Sequence, residues 1–195
     1  MNMLVIYTHP NHQSYNYSLF EAVIKGAKEN KTIQDIRVLD LYEEKFNPVL
    51  FFDSEHRRRD MHKDPLLEKY REQLLWADKI VMVYPIWWGR PPAMLLGYID
   101  QLFASEFAYR DKKGLLPEGL LKGKSVVCIS TMKGPTLYPL LWLNNAHKIL
   151  MRKALFNFVG IKKVKFFEFG FSESPKGKHV QKQQKIYRYF NMMRA

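Results

Sequence analysis

The chain has 195 residues, 47% of them apolar, which suits a single domain with a buried core and leaves no apolar run of the ~18 residues that a membrane span needs. Its formal net charge is +12, with a single cysteine, Cys128, that can form no internal disulfide; this points to a reducing, cytoplasmic setting. The basic residues are scattered over 57–59, 110–113, 162–165 and the tail. No helix-turn-helix, zinc-finger or aromatic RNA-binding signature accompanies them, so nucleic acid is not an expected partner and the charge reads as a solvated surface that attracts anions.

In chain order, "MLVIY" (3–7) reads as a first strand rather than a signal peptide. A helix follows over 16–29, then a strand over 33–41, a helix over 65–76 and a third strand over 79–84. Pro91 and Pro92 open the next helix, because a missing N–H costs nothing in the first turn. A fourth strand over 125–130, a helix over 139–157, a fifth strand over 162–170 and a polar closing helix complete the pattern. Strands that are apolar throughout and alternate with helices predict a parallel sheet covered on both faces. Five of them suit an α/β flavodoxin-like three-layer sandwich of strand order 2-1-3-4-5 in one domain, 1–195. The long segment 104–124 is too apolar to be a linker and is expected to cover an active site or a partner.

In such a sheet, ligands bind beyond the carboxyl ends of the strands, which selects three loops in advance. The first, "THPNHQSYNYS", lacks both G-x-G-x-x-G and G-x-x-x-x-G-K-[ST] but is dense in small polar groups at a helix start, namely His9, Asn11, His12, Gln13, Ser14, Asn16 and Ser18. Helix capping by Ser14 or Asn16 explains part of this; the surplus of polar groups favours a phosphate site. The second loop, "PIWWGRPP", offers flat aromatic surface beside a glycine, to be read as a ring platform or as apolar filler. The third, "STMKGPTLY", adds hydroxyls, a glycine turn and the phenol of Tyr138. A phosphate pocket, an aromatic wall and a polar edge outline a flavin nucleotide site.

The stretches "THPNHQSYNYS", "YPIWWGRPPAMLLGYIDQLF", "FAYRDKKGLLPEGLLKGK" and "STMKG" resemble the flavodoxin-like NAD(P)H:quinone oxidoreductases. That family includes the DT-diaphorases, the modulators of drug activity and the ancillary flavoproteins of potassium-efflux systems. The likeness runs from residue 3 to about 170 and is most specific over 84–103. It implies that His9, Ser14, Tyr15, Asn16 and Ser18 hold the flavin phosphate and ribityl chain. It implies that Pro85, Ile86, Trp87, Trp88 and Gly89 run along the isoalloxazine ring, with Ser130, Thr131, Met132, Lys133 and Gly134 as a further flavin-binding loop. Tyr138 would stand at the N1–O2 edge, and Phe107 and Tyr109 would reach into the partner subunit's active site.

Three departures accompany the likeness. A loop that is usually Thr-Thr-Gly-Gly reads Ser-Thr-Met-Lys-Gly, Asn144 replaces a histidine paired with the tyrosine (His147 lies three residues on), and Arg71 replaces a cofactor-contacting glutamine. The implied activity is ping-pong hydride transfer from NAD(P)H through bound flavin to a quinone, with Trp87, Tyr109 and Tyr138 at the reacting centre of a homodimer. FMN is favoured over FAD because the chain offers no evident adenine cleft, and no metal is expected. The rival implication is a flavin-binding regulatory subunit that contacts a membrane transporter.

Overall fold

A computed structural model describes residues 1–55, 57–112, 117–175 and 178–194. Five parallel strands form the sheet: β1 (Asn2–Tyr7), β2 (Asp35–Asp40), β3 (Lys79–Pro85), β6 (Ser125–Thr131) and β7 (Lys163–Phe169). Their order is β2-β1-β3-β6-β7, which is the expected 2-1-3-4-5 when the main strands are counted alone. Two short strands, β4 (Tyr109–Arg110) and β5 (Glu118–Gly119), pair antiparallel inside the long 104–124 segment, where no strand was expected. Residues 113–116 of that segment lie outside the described residues.

Strand side chains alternate between two apolar layers, as a period of two requires. Leu4, Ile6, Ile80, Met82, Tyr84, Val126 and Cys128 face α2 (Glu68–Trp76) and α3 (Ala93–Leu102), with Met151 and Phe156. Met3, Val5, Tyr7, Val81, Val83, Val127 and Ile129 face α1 (Tyr15–Glu29) and α6 (His179–Met192). Both neighbours of each central strand are polypeptide and both faces are covered, which explains the unbroken apolar runs. Each buried Val, Leu or Ile contributes about 1.5–3 kcal/mol. The outer strand β2 buries only Leu39 and is correspondingly polar. Helices α1 and α6 approach closely at Gly26, where a Cβ would collide with the carbonyl of Tyr187.

The expected helix over 139–157 is in fact three pieces. They are α4 (Tyr138–Trp142), α5 (Ala146–Ile149) and a π-helical stretch, Leu150–Phe156. Asn144 and Asn145 take left-handed conformations, φ 47° and 56°, and break the helix between the first two. The expected helix over 65–76 likewise opens as a 3-10 turn, Pro65–Leu67, capped by the Asp64 carboxylate accepting from the Leu66 N–H.

Candidate active site

The first loop leaves β1 and winds back on its own side chains. The Tyr7 hydroxyl donates to the Asn11 carbonyl and meets Ser14 Oγ, each at 3.1 Å, while the Gln13 N–H donates to Asn11 Oδ1 at 2.7 Å. Burial is the main reason the Tyr7 phenol is pushed up to about 12, so it stays a neutral donor. Ser14 is the N-cap of α1, its Oγ accepting from the Tyr17 N–H. The amides of Tyr15 and Asn16 have no intrahelical acceptor at this position, and the first turn holds no acidic residue. The positive end of the helix therefore stands uncompensated, which favours an anion.

His9 sits at the lip of this loop. Its Nδ1 lies 3.1 Å from both the amide nitrogen and the carbonyl oxygen of Asn11, which pins the ring to its own loop and leaves Nε2 facing outward from these contacts. Burial holds the imidazole below its ordinary pKa, so the neutral form is favoured near pH 7. His12 closes the loop from behind: its Nε2 lies 2.7 Å from Asp40 Oδ2, and its ring stacks on Tyr17 with centroids 4.9 Å apart.

The second loop is a tight reversal. Trp87 and Arg90 exchange backbone hydrogen bonds of 3.0 and 3.1 Å around Trp88 and Gly89. Both central residues have positive φ, 53° and 71°, as a type I′ turn demands. A Cβ on Gly89 would meet Leu143 Cδ1 at 2.9 Å, so the glycine is needed for both conformation and approach. The turn throws Trp88 outward, 96% exposed, and leaves Trp87 43% exposed with its ring 6.3 Å from that of His9. Phosphate-type donors and an indole surface thus become neighbours.

The third loop is bound to both others. The Ile86 N–H donates to the Thr131 carbonyl at 2.7 Å, and Asn16 Nδ2 donates to Thr131 Oγ1 at 2.9 Å. Met132 is buried, its N–H bonded to the Phe169 carbonyl, whereas the Lys133 ammonium pairs with Glu173 at 3.0 Å on the surface. Gly134 accepts from the Phe171 N–H. Tyr138 begins α4, 45% exposed and stacked on Trp142 at 5.6 Å.

Thr8 Oγ1, Asn16 Oδ1 and Ser130 Oγ are buried at these strand and helix ends without a hydrogen-bond partner. Unpartnered buried oxygens are costly, and these three stand at the carboxyl edge of the sheet or the amino end of α1, where a ligand would supply partners.

Several expected residues fall elsewhere. Ser18 donates to the Tyr15 carbonyl and accepts from Gln183 of α6, facing away from the loop. Arg71 donates to the carbonyls of Met61 and Asp64, at 3.1 and 2.8 Å, and so fastens the 58–64 segment. Phe107 and Tyr109 pack against their own core, Tyr109 edge-on to Phe158, and within one chain meet none of the other candidates. His147 does not approach Tyr138. It is buried, with Nε2 2.8 Å from the Tyr84 hydroxyl and Nδ1 2.8 Å from Glu168 Oε1, while Lys148 holds the other Glu168 oxygen at 2.7 Å. Burial pushes the Glu168 carboxyl up, but the hydrogen bonds of His147 and Lys148 outweigh it and keep the group below its ordinary range. The sequence analysis missed this Tyr84–His147–Glu168 network; a polar triad spread over β3, α5 and β7 leaves no local spacing to detect.

Over residues 1–190 the chain matches the family described as having a flavodoxin-like fold. It is 31% identical over 172 residues to an NAD(P)H oxidoreductase of Haemophilus influenzae, covering 87% of this chain and 84% of that protein. It is 29% identical over 128 residues to the FMN-dependent NADH:quinone oxidoreductase 1 of Bacillus subtilis, covering 60% of each. The crystal structure of Smu.1420 from Streptococcus mutans superposes with a TM-score of 0.90 at 34% identity, over 99% of this chain and 100% of that one.

Proposed function

The chain belongs to the flavodoxin-like family, and from that premise we propose that it is an FMN-dependent NAD(P)H:quinone oxidoreductase. The observation that carries this reading is the meeting of the uncompensated α1 amino end with the half-exposed Trp87 indole, His9 standing between them. One end suits a phosphate and the other a flat ring, as a flavin mononucleotide requires. The buried, unpartnered oxygens of Thr8 and Asn16 support the fit, since polyol hydroxyls would satisfy them.

In this reading His9, Ser14, Tyr15 and Asn16 hold the phosphate and ribityl chain, Pro85 to Gly89 lie along the ring, and Ser130 to Gly134 close the far side. When bound there, the flavin would supply the hydride exchange between NAD(P)H and a quinone. The Tyr138 Oη would donate a hydrogen bond to negative charge that develops at the ring edge, which lowers the barrier. Trp87 stacks the incoming nicotinamide or quinone and excludes water. A single face serving both substrates makes the kinetics ping-pong.

A homodimer is part of the proposal. Trp88, Leu137, Leu140, Leu141 and Trp142 are largely exposed around the site, more apolar surface than a lone chain usually leaves in one place. Phe107 and Tyr109 enter the catalytic assembly only through such a partner.

The test is direct. The purified protein should carry a yellow cofactor with the mass of FMN and show parallel double-reciprocal lines for NAD(P)H against a quinone. Tyr138→Phe should lower kcat and Trp87→Ala should raise KM, each by about tenfold or more. A colourless protein that takes up no FMN, or two variants with wild-type turnover, would overturn the assignment.

A further inference from the structure

The amino ends of the sheet strands, at the pole opposite the candidate site, carry a second polar arrangement. In the β3–β6–β7 register Lys79 lies beside Ser125, and Ser125 beside Lys163. Paired residues of neighbouring strands point to the same face, and strands stand 4.7–4.9 Å apart. Two ammonium stems therefore flank one hydroxyl across about 10 Å. Lys165, two residues further along β7, shares that face and lies over the Tyr189 ring at 4.1 Å.

Lys79 is the unusual member. It is only 9% exposed, and its Nζ donates to Ser125 Oγ at 2.8 Å. Among the described residues Lys79, Lys163 and Lys165 meet no carboxylate within ion-pair distance. Neighbouring lysines are occupied: Lys122 is paired with Glu118 at 2.5 Å, and Lys124 donates to the Leu75 and Ala77 carbonyls. Asp78, the acid nearest in sequence, accepts from the Asn2 N–H at 2.8 Å. Burial, and then the charges of Lys163 and Lys165, hold the Lys79 ammonium below its ordinary pKa. A half-desolvated cation beside two more, with no carboxylate in ion-pair distance and only Asp78 on the rim of the cavity they line, is an unfavourable arrangement that a bound anion would relieve.

The row opens into a cavity of about 680 Å³ lined by Lys79, Ser125, Lys163, Lys165 and Arg194, with Asp78 as its one carboxylate among the described residues. A second basic cavity of about 700 Å³ shares Gly123 and Lys163 with it. We propose that this Lys79–Ser125–Lys163–Lys165 row is a binding site for an oligophosphate, an anion with two or more linked phosphate groups. A single phosphate would reach one end of the row, whereas a linear chain can engage Lys79 and Lys163 together and accept the Ser125 hydroxyl between them. The charges are fixed to adjacent strands of a parallel sheet, so their spacing is set before the ligand arrives.

The experiment is calorimetric titration of the flavin-saturated protein with tripolyphosphate, inorganic phosphate and sulfate, at constant ionic strength. Tripolyphosphate should bind at least tenfold more tightly than either single anion, without releasing flavin. Lys163→Gln with Lys165→Gln, both exposed positions, should weaken it at least tenfold and leave flavin content and turnover unchanged. Lys79→Met should do the same where it folds. Lys45→Gln with Lys153→Gln removes equal charge from other surfaces and should change little. Equal loss in that control, no preference for the longer anion, or heat that tracks flavin release would each overturn the proposal. So would tighter binding of duplex DNA or of anionic vesicles, because the occupant would then be a macromolecular surface.

Discussion

Two helical segments leave the carboxyl edge of the sheet beside the candidate site, and they are built on opposite plans. Helix α1 follows β1 as an unbroken 15-residue helix, capped by Ser14 and seated through Leu19, Val23 and Ala27 on the sheet and α6. The 138–156 segment follows β6 and is broken by two left-handed asparagines into short pieces. Its anchor is the buried His147, held by Tyr84 and Glu168, while Leu137, Leu140, Leu141 and Trp142 stay exposed. The first plan makes a rigid amino end, which suits fixed binding of a phosphate. The second fixes one point and leaves the rest of the wall unburied, which suits a surface that must admit two substrates in turn.

The sharpest way to break this contrast is His147→Ala. Removing the residue that links Tyr84 and Glu168 leaves buried polar groups unpartnered, at about 1–3 kcal/mol, and the loss should appear in urea unfolding monitored by fluorescence. His147→Gln, which can still bridge Tyr84 and Glu168, should recover part of it. A variant as stable as the parent would mean that the segment is held by apolar packing, like α1. Acid should act on the same anchor. The Glu168 carboxyl is held below its ordinary value near 4.5, so its contribution is fully present above that value and fades as pH falls through the lower, folded one. Glu168→Gln should therefore cost about 1–3 kcal/mol at pH 7 and progressively less below pH 4, as denaturant midpoints across that range would reveal.

Smaller effects test the plans individually. Ser14→Ala removes the α1 cap and should cost about 1 kcal/mol, with a weaker hold on FMN as the helix end frays. Asn145 sits in the left-handed region that asparagine tolerates better than alanine, so Asn145→Ala should cost about 0.5–1 kcal/mol in the same assay, whereas Asn145→Gly should be close to neutral.

The strands were legible because β1, β3 and β6 are buried on both faces, and doubly buried strands advertise themselves as apolar runs. Their carboxyl ends then selected the three loops without further information. Legibility failed where tertiary contacts overrode local pattern. "LWLNNAHKIL" reads as helix because it holds no proline or glycine, but its paired asparagines tolerate the left-handed region and break it there, just before His147 meets Tyr84 and Glu168. The β4–β5 pair is two residues per strand, too short for any periodicity. Ser18 looked like a loop donor by proximity in sequence, but one helical turn past Ser14 it faces α6. Arg71 was read by analogy of position, and its guanidinium instead fastens backbone carbonyls.

Cys128 sits in the middle of β6 beneath Tyr84, fully buried, and burial pushes its thiol up to about 12. Reduced flavins meeting oxygen release peroxide, and thiolates are what peroxide attacks first. Should the chain hold the proposed flavin, a sole sulfhydryl kept protonated and sealed offers peroxide no reactive thiolate. The same sealing makes that residue a clock for whole-molecule opening, since a thiol reagent reaches it only when the sheet comes apart.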